Sequence, residues 1–490
     1  MNKILLLIFS FFISYSSLAK DKPNVLFISI DDLRPELNCY GKKGLITPNI
    51  DEFAKSAISF TNAYTQFAVC GPSRAAVMTS IRPHRSKILG NAQAKKMRDY
   101  IGDALTIPQY FTQNGYYSVG YGKVYHYYKI DEKESWDECF GLHWDKYADK
   151  KNRDTVRRRS REAREKGLVG VPLFNATRGP SAEAVAGPDN VYNDGKLAEK
   201  AVEKLRVLSQ QEAPFFFAVG FSKPHLPFTA PQKYWDLYDP SKIHLASNNY
   251  PAKHAPPYST SNWKELRAYT DIPNEGPVES SIAQKLIHGY RASVSYVDAQ
   301  VGKVLNELNA LGLTENTIVV IWSDHGWKLG EHGAWSKHSN SEIDTKSVLM
   351  IKYPQVNTKS VKCSELVELI DIYPTLTDLA GLPKPKNIDG VSLKPLLKKP
   401  ELNIKAAAYS QYPRSHGETK MGELMGYTVR TDRYRLVKWV KEKNIREPKI
   451  VAVELYDHKI DPDENNNIAN NPETEAIITK LLKLLTSNIQ

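Results

Sequence analysis

The sequence predicts an α/β fold, a large mixed and mainly parallel sheet flanked by helices, followed by a smaller C-terminal α+β domain with an antiparallel sheet. Two observations carry this reading. From residue 24 onward, short apolar, β-branched or aromatic runs alternate with longer amphipathic stretches, the pattern of strands and helices wound about a parallel sheet. Pro, Lys and Asn then crowd residues 383–404, and the runs beyond them read as antiparallel strands. A chain of 490 residues is also too long for one small core. The predicted boundaries are a leader at 1–19, a first domain at 20–385, a linker at 386–404 and a second domain at 405–490.

The elements follow in order. Lys3, an apolar run over residues 4–13 and the small-residue end Ser17-Leu18-Ala19 have the layout of an export signal cleaved after Ala19. That run is shorter than the roughly 20 apolar residues of a spanning helix, so no stable membrane anchor is expected and the mature chain is predicted to be periplasmic or extracellular. Strands are predicted at 25–30, 117–121, 215–221 and 317–322. Helices are predicted at 194–208, which opens after Asn193-Asp194, and at 290–311. In the second domain, 426–440 and 450–455 read as strands and 473–485 as a terminal helix. The sequence has no internal repeat and no low-complexity tract.

Four cysteines, at 39, 70, 139 and 363, are too few for a disulfide framework, so folding rests on apolar burial. A net charge of +11 favours acidic partners. The densest basic stretch, 150–166, includes Arg157, Arg158 and Arg159 and reads as a solvated helical insertion: either a rim that attracts a polyanion or a plain surface helix. No nucleic-acid motif accompanies the charge, and nucleic acid is not an expected partner. Asn175-Ala176-Thr177 fits the glycosylation pattern only weakly.

The polar residues fall where the strands end. Strand 25–30 runs into Asp31-Asp32, strand 317–322 into Asp324-His325, strand 117–121 toward Lys123 and His126, and strand 215–221 toward Lys223 and His225. Ligands of open α/β sheets bind outside the carboxyl ends of the strands, so these groups are expected to converge. Adjacent carboxylates leaving an apolar strand are costly unless a cation neutralises them. Three carboxylates and an imidazole are mostly hard ligands, which points to calcium, or less well to magnesium. Between the first two strands lies Cys70-Gly71-Pro72-Ser73-Arg74. Pro72 suits a first helical turn and sets Cys70 at a helix N-terminus, where negative charge is favoured.

Cys-x-Pro-Ser-Arg opening a helix resembles the signature of the type I, formylglycine-dependent sulfatases, whose signature cysteine a maturation enzyme oxidises to formylglycine. The resemblance extends through Asp31-Asp32, Gly122-Lys123-Val124-Tyr125-His126, Lys223-Pro224-His225, Asp324-His325-Gly326 and Lys337. It is closest to the iduronate-2-sulfatase-like branch, through Asp31-Asp32-Leu33-Arg34-Pro35 and the stretch 323–337. Thr79-Ser80-Ile81-Arg82 departs from the commoner Thr-Gly-Arg.

The resemblance implies an alkaline-phosphatase-like fold, a formylglycine-generating or anaerobic maturation enzyme as partner, and a sulfated glycan as substrate, with a uronate 2-O-sulfate among the candidates. It implies a metal held by Asp31, Asp32, Asp324, His325 and the modified Cys70, one of whose two hydroxyls attacks sulfur. Arg74, Lys123 and Lys337 then hold the hydroxyls and the sulfate, His225 with Lys337 protonates the leaving oxygen, and His126 takes the proton from the second hydroxyl. Two other readings stand beside it: a phosphoester hydrolase of the alkaline phosphatase superfamily, and an inactive relative that binds glycans.

Overall fold

The computed structural model describes residues 22–142, 146–356, 360–415, 417–441 and 449–489; the expected leader at 1–19 lies outside the described residues. Strands β1 (Asn24–Ile30), β2 (Ile58–Tyr64), β3 (Tyr117–Gly122), β4 (Glu138–Phe140), β5 (Phe215–Phe221), β6 (Thr317–Ser323), β7 (Lys346–Ser347), β8 (Leu349–Lys352) and β9 (Val361–Glu368) form one nine-stranded sheet. Its order is β7-β2-β8-β6-β1-β5-β3-β4, with β9 paired to β2. Pairs β1–β5, β1–β6, β3–β5, β3–β4 and β2–β9 are parallel, while β8 runs antiparallel between β2 and β6. The sheet is therefore mixed and mainly parallel.

All seven residues of β1, β5 and β6 are buried, which is why these strands read as continuous apolar runs rather than as alternating ones. Their side chains divide between two cores. Leu26, Ile28 and Ile30 face one layer with α3 (Asn193–Leu208) and α4 (Ser280–Ala310), whereas Val25 and Phe27 face the other with α1 (Cys70–Thr79) and α5 (Ile372–Leu379). Helix α4 begins ten residues before the predicted start, because Ala283, Leu286 and Ile287 already follow the core-facing helical spacing. The basic stretch forms α2 (Lys150–Glu165), with pairs such as Lys150–Asp154 and Arg158–Glu162 along its surface.

Strands β3 and β5 approach at a glycine pair. Gly122, at φ +74°, lies opposite Gly220, and a Cβ on Gly122 would come within 2.4 Å of the Gly220 carbonyl oxygen. A Cβ on Gly220 would come within 2.1 Å of the Lys123 carbonyl carbon, so bare backbone on both strands lets Lys123 lie close to the end of β1.

Residues Lys394–Lys398 form a short helix whose Leu396 and Leu397 join the second core. Beyond it, β10 (Ala408–Arg414), β11 (Leu424–Arg430), β12 (Tyr434–Val440) and β13 (Ile450–Asp457) make a four-stranded antiparallel sheet covered by α6 (Glu475–Ile489) through Leu481 and Leu485. Strand β10 is not among the predicted strands; Pro413 interrupts its pattern and is tolerated because β10 lies at the sheet edge.

Charged residues join this sheet to the larger one. Glu342 accepts from Arg430 and Arg435, and Glu464 pairs with Arg435 and His458. Glu342, His458 and Glu464 lie close enough together to resemble a metal site, but the two guanidiniums already neutralise the carboxylates. A second junction is Glu368, 1% exposed, which takes both terminal nitrogens of Arg82 at 2.7 Å, Lys405 at 2.7 Å and the Tyr409 amide at 3.0 Å.

Burial opposes ionisation of Glu368, yet Arg82 and Lys405 overcome it and bring its pKa from the ordinary 4.5 down to about 2. The contribution is complete above the unfolded value and is lost as pH falls through the folded one. Glu368→Gln should therefore unfold at lower urea than wild type at pH 7, and the gap between the two midpoints should narrow as pH falls from 4.5 toward 2.

Candidate active site

The carboxyl ends of β1 and β6 lie side by side, with Ile30 opposite Ser323, and this register brings Asp31-Asp32 against Asp324-His325. All four residues have no exposed surface. Asp32 adopts a left-handed conformation, φ +61°, and its amide donates to Asp324 Oδ1 at 3.1 Å. The turn is held from behind by α4, where the Tyr290 hydroxyl donates to the Asp32 carbonyl at 2.9 Å and accepts from the Arg34 amide at 3.0 Å.

Helix α1 begins at Cys70, whose Sγ lies 3.4 Å from His325 Nε2 and 4.0 Å from Asp32 Oδ1. Three features seat this turn. The Ser73 hydroxyl donates to the Asp324 carbonyl at 2.6 Å, and the Gly71 amide donates to Asn91 Oδ1 at 3.0 Å. Position 71 has no room for a side chain, since a Cβ would sit 2.5 Å from Asn91 Oδ1 and 2.8 Å from Ala94 Cβ. One turn further, Arg74 is wholly buried and binds Asp31 through Nη2 and Asp324 through Nε, each at 3.0 Å, with Nη1 on the Lys123 and Val124 carbonyls.

Lys123 bonds Asp31 Oδ2, and Lys337 bonds both oxygens of Asp32 at 3.0 and 3.1 Å. Lys337 also stands 4.7 Å above the Trp327 ring centre. Its loop is strained, with Ser336 at φ +71° and His338 at φ +87°. The C-terminal sheet supports that loop: Arg414 donates to the His338 carbonyl at 2.8 Å and Arg435 to the Asn340 carbonyl at 2.7 Å. His225 Nδ1 lies 2.6 Å from the Leu226 carbonyl, and its Nε2 is 3.9 Å from Asp32 Oδ2. His126, three residues beyond Lys123, joins no hydrogen bond of this cluster, and its Nδ1 is buried without a partner.

The electrostatics follow from the crowding. Burial works against the Asp31 carboxylate, but Lys123 and Arg74 hold it well below the usual range. Asp32 goes the other way: burial raises it, Lys337 offsets only part, and Asp31, Glu265 and Asp324 raise it further. Burial raises the Cys70 thiol well above its ordinary value, with the Asp31 carboxylate adding to it, although Lys337 and Lys123 pull the other way. Burial lowers both His225 and His126, with Lys123 adding to each, to about 4 and about 3.

Asp31, Asp32 and Asp324 offer oxygens within 4.8 Å of one another. His325 Nδ1 faces the Gly326 carbonyl at 2.9 Å, so that nitrogen donates and Nε2 turns its lone pair toward Asp32 Oδ1 at 3.4 Å and Asp324 Oδ2 at 3.6 Å. Lone pairs facing one another across such gaps suit a cation between them. This donor set fits a hard divalent ion.

Residues 23–382 match the family model described as sulfatase. The chain belongs to the sulfatase family. A second match, to the C-terminal region of N-sulphoglucosamine sulphohydrolase, covers 330–490 and so takes in both the Lys337 loop and the antiparallel sheet. Iduronate 2-sulfatase of Mus musculus is 31% identical, with 97% of each chain covered. Two solved structures share the fold. One is a protein in complex with its substrate D-glucosamine-2-N,6-O-disulfate, with TM-score 0.73, 23% identity and 95% of this chain and 97% of that chain covered. The other is the phosphonate monoester hydrolase of Silicibacter pomeroyi, with TM-score 0.74, 20% identity and 95% of this chain and 94% of that chain covered. The protein is a sulfuric ester hydrolase with an alkaline-phosphatase-like fold.

One residue of this cluster is not marked by the sequence. Glu265, on the short helix Lys264–Arg267, places Oε1 3.1 Å from His225 Nε2 and Oε2 3.0 Å from Lys337 Nζ. It follows no strand and belongs to no motif, so nothing in the sequence marks it.

Because Arg74 bridges two fully buried carboxylates, Arg74→Ala should lower stability by about 3 kcal/mol in urea unfolding and reduce sulfate-ester turnover by at least about 100-fold.

Proposed function

We propose that this sulfatase hydrolyses sulfate esters of a sulfated carbohydrate, using a nucleophile made by oxidising Cys70 to formylglycine and a divalent ion, calcium in preference to magnesium, at Asp31, Asp32, Asp324 and His325. The observation that carries the reading is the position of Cys70 Sγ, 3.4 Å from His325 Nε2 and among three buried carboxylates and three cationic side chains. The carbohydrate is supported by two names among the similar proteins, iduronate 2-sulfatase and the complex with D-glucosamine-2-N,6-O-disulfate.

The ion supplies Lewis-acid charge and oxidised Cys70 supplies, as its hydrate, the attacking oxygen. The chain's own side chains then divide the work. Arg74, held by Asp31 and Asp324, and Lys123, on Asp31, keep positive charge beside position 70. Lys337 faces the sulfate as negative charge moves to the leaving oxygen. His225 Nε2 delivers a proton to that oxygen as the S–O bond breaks; the anionic sulfate ester, once bound, favours the protonated ring that burial disfavours. His126 takes the proton from the second hydroxyl as the bond between the residue-70 carbon and the sulfated oxygen breaks, which releases sulfate and restores the aldehyde; its unpartnered Nδ1 supports a role as acceptor. A maturation enzyme is the required partner.

We place the protein in the periplasm or outside the cell, on the pattern of residues 1–19; among the described residues no helix is long and apolar enough to cross a membrane. The domain division at 386–404 is likewise part of this proposal. The phosphoester reading draws only on shared fold, and Cys70-Gly71-Pro72-Ser73-Arg74 counts against it.

Mass spectrometry of the tryptic peptide ending at Arg74, from a host that matures other sulfatases, should show a loss of about 18 Da as the thiol becomes an aldehyde; an unmodified Cys70 would overturn the mechanism. Chelation should lower the Tm, and calcium at about 100 times its Kd should restore roughly 2.7 kcal/mol. His225→Ala should slow release of a sugar alcohol by about 100-fold or more, and of a nitrophenol, which needs no proton, by under about tenfold.

A further inference from the structure

We infer that Glu265 selects the substrate: it accepts a hydrogen bond from a hydroxyl or amine on the carbon next to the sulfated one, and it rejects esters whose neighbouring carbon carries an anionic group. The inference rests on the assignment of His225 and Lys337 to the leaving oxygen, and it narrows the sulfated carbohydrate to one flanked by a donor.

His225 is pinned by its Nδ1 contact with the Leu226 carbonyl at 2.6 Å, which leaves Nε2 as the nitrogen that meets the leaving oxygen. Glu265 Oε1 is 3.1 Å from that nitrogen, closer than Asp32 Oδ2 at 3.9 Å. An oxygen accepting the proton from Nε2 must come within about 3 Å of it. The sugar carbon bearing that oxygen, and its substituted neighbours, therefore lie against the Glu265 carboxylate. Its other oxygen, Oε2, is on Lys337 Nζ at 3.0 Å, so both groups that meet the leaving oxygen touch this one side chain.

Ion pairing with Lys337 and His225 stabilises the Glu265 carboxylate, and that support is compatible with a carboxylate that also faces a ligand. Lys337 also bonds both oxygens of Asp32, at 3.0 and 3.1 Å. Glu265 stands in the chain between Trp263 and Leu266, both of which are buried in the core. The Glu265 side chain is 16% exposed, against none for Asp31, Asp32 and Asp324, which puts it on the side of the site open to a ligand.

A carboxylate in that place has a defined chemistry. It accepts from O–H and N–H groups, and a charge-assisted bond of this kind discriminates strongly against a partner that lacks the donor. Toward a second sulfate or a carboxylate on the adjacent carbon it is repulsive, the negative element that specificity often requires.

The test compares sulfate release by mature wild type, Glu265→Gln and Glu265→Ala on three monosaccharide sulfates that differ only at the adjacent carbon, carrying a free hydroxyl, a methyl ether or a second sulfate. Wild-type turnover of the hydroxyl substrate, checked first, tests the sulfatase reading by itself. Wild type should prefer the hydroxyl substrate over the methyl ether by about 10- to 100-fold in kcat/KM, and Glu265→Ala should shrink that preference to under about threefold. The Gln variant should gain on the disulfate relative to the hydroxyl substrate. Binding of the three sugars to Cys70→Ala protein, with and without Glu265→Gln and followed by calorimetry, should show the same order without turnover. Equal loss of kcat on all three substrates, with the preference intact, would make Glu265 a support for His225 and overturn the inference. So would a wild type indifferent to the adjacent group.

Discussion

Three carboxylates without solvent, at the ends of two neighbouring strands, are the constraint from which the rest of the site follows. Ile30 opposite Ser323 brings Asp31 and Asp32 against Asp324, all three without exposed surface, where like charges repel strongly. Each surrounding device answers that charge. Arg74 can bridge Asp31 and Asp324 only if α1 begins at Cys70, and α1 can sit so close only because position 71 carries no side chain. Lys123 reaches Asp31 because Gly122 and Gly220 let β3 and β5 close up. Lys337 reaches Asp32 from a strained loop whose backbone is held by arginines of the second sheet. The antiparallel sheet thus belongs to the site although none of its side chains touches Asp31, Asp32 or Asp324 in any described contact.

Much of this was legible in the sequence, and the reason is burial. Strands β1, β5 and β6, buried on both faces, write themselves as uninterrupted apolar runs, and polar residues at their ends stand out against them. Cys70 and Arg74 carry a motif whose spacing survives folding unchanged, because both lie within the first turns of one helix. The predicted metal ligands and Cys70 do converge, as do Arg74, Lys123, Lys337 and His225.

What stayed hidden depends on contacts between distant segments. Glu265 reaches His225 and Lys337 from a loop with no periodicity of its own, and only the folded chain makes it part of the site. Arg414 and Arg435 look like ordinary strand residues until the His338 and Asn340 carbonyls are seen beneath them. At Cys70, burial and the Asp31 carboxylate raise the thiol even though the residue opens a helix. The start of α4 was missed because its first turns mix exposed polar residues with Ala283, Leu286 and Ile287.

The burial of Cys70, only 2% exposed, sets a clock on its chemistry. A thiol lodged between Asp32 and His325 at the start of a packed helix offers little surface to a modifying enzyme once the sheet has closed. The closing partner, β6 with Asp324, is synthesised some 250 residues after Cys70, which at ribosomal speed is a delay of roughly 10–50 s. The length of chain between helix and strand therefore acts as a timer: a modifying enzyme that works within that interval meets an extended peptide, and one that arrives later meets a finished core.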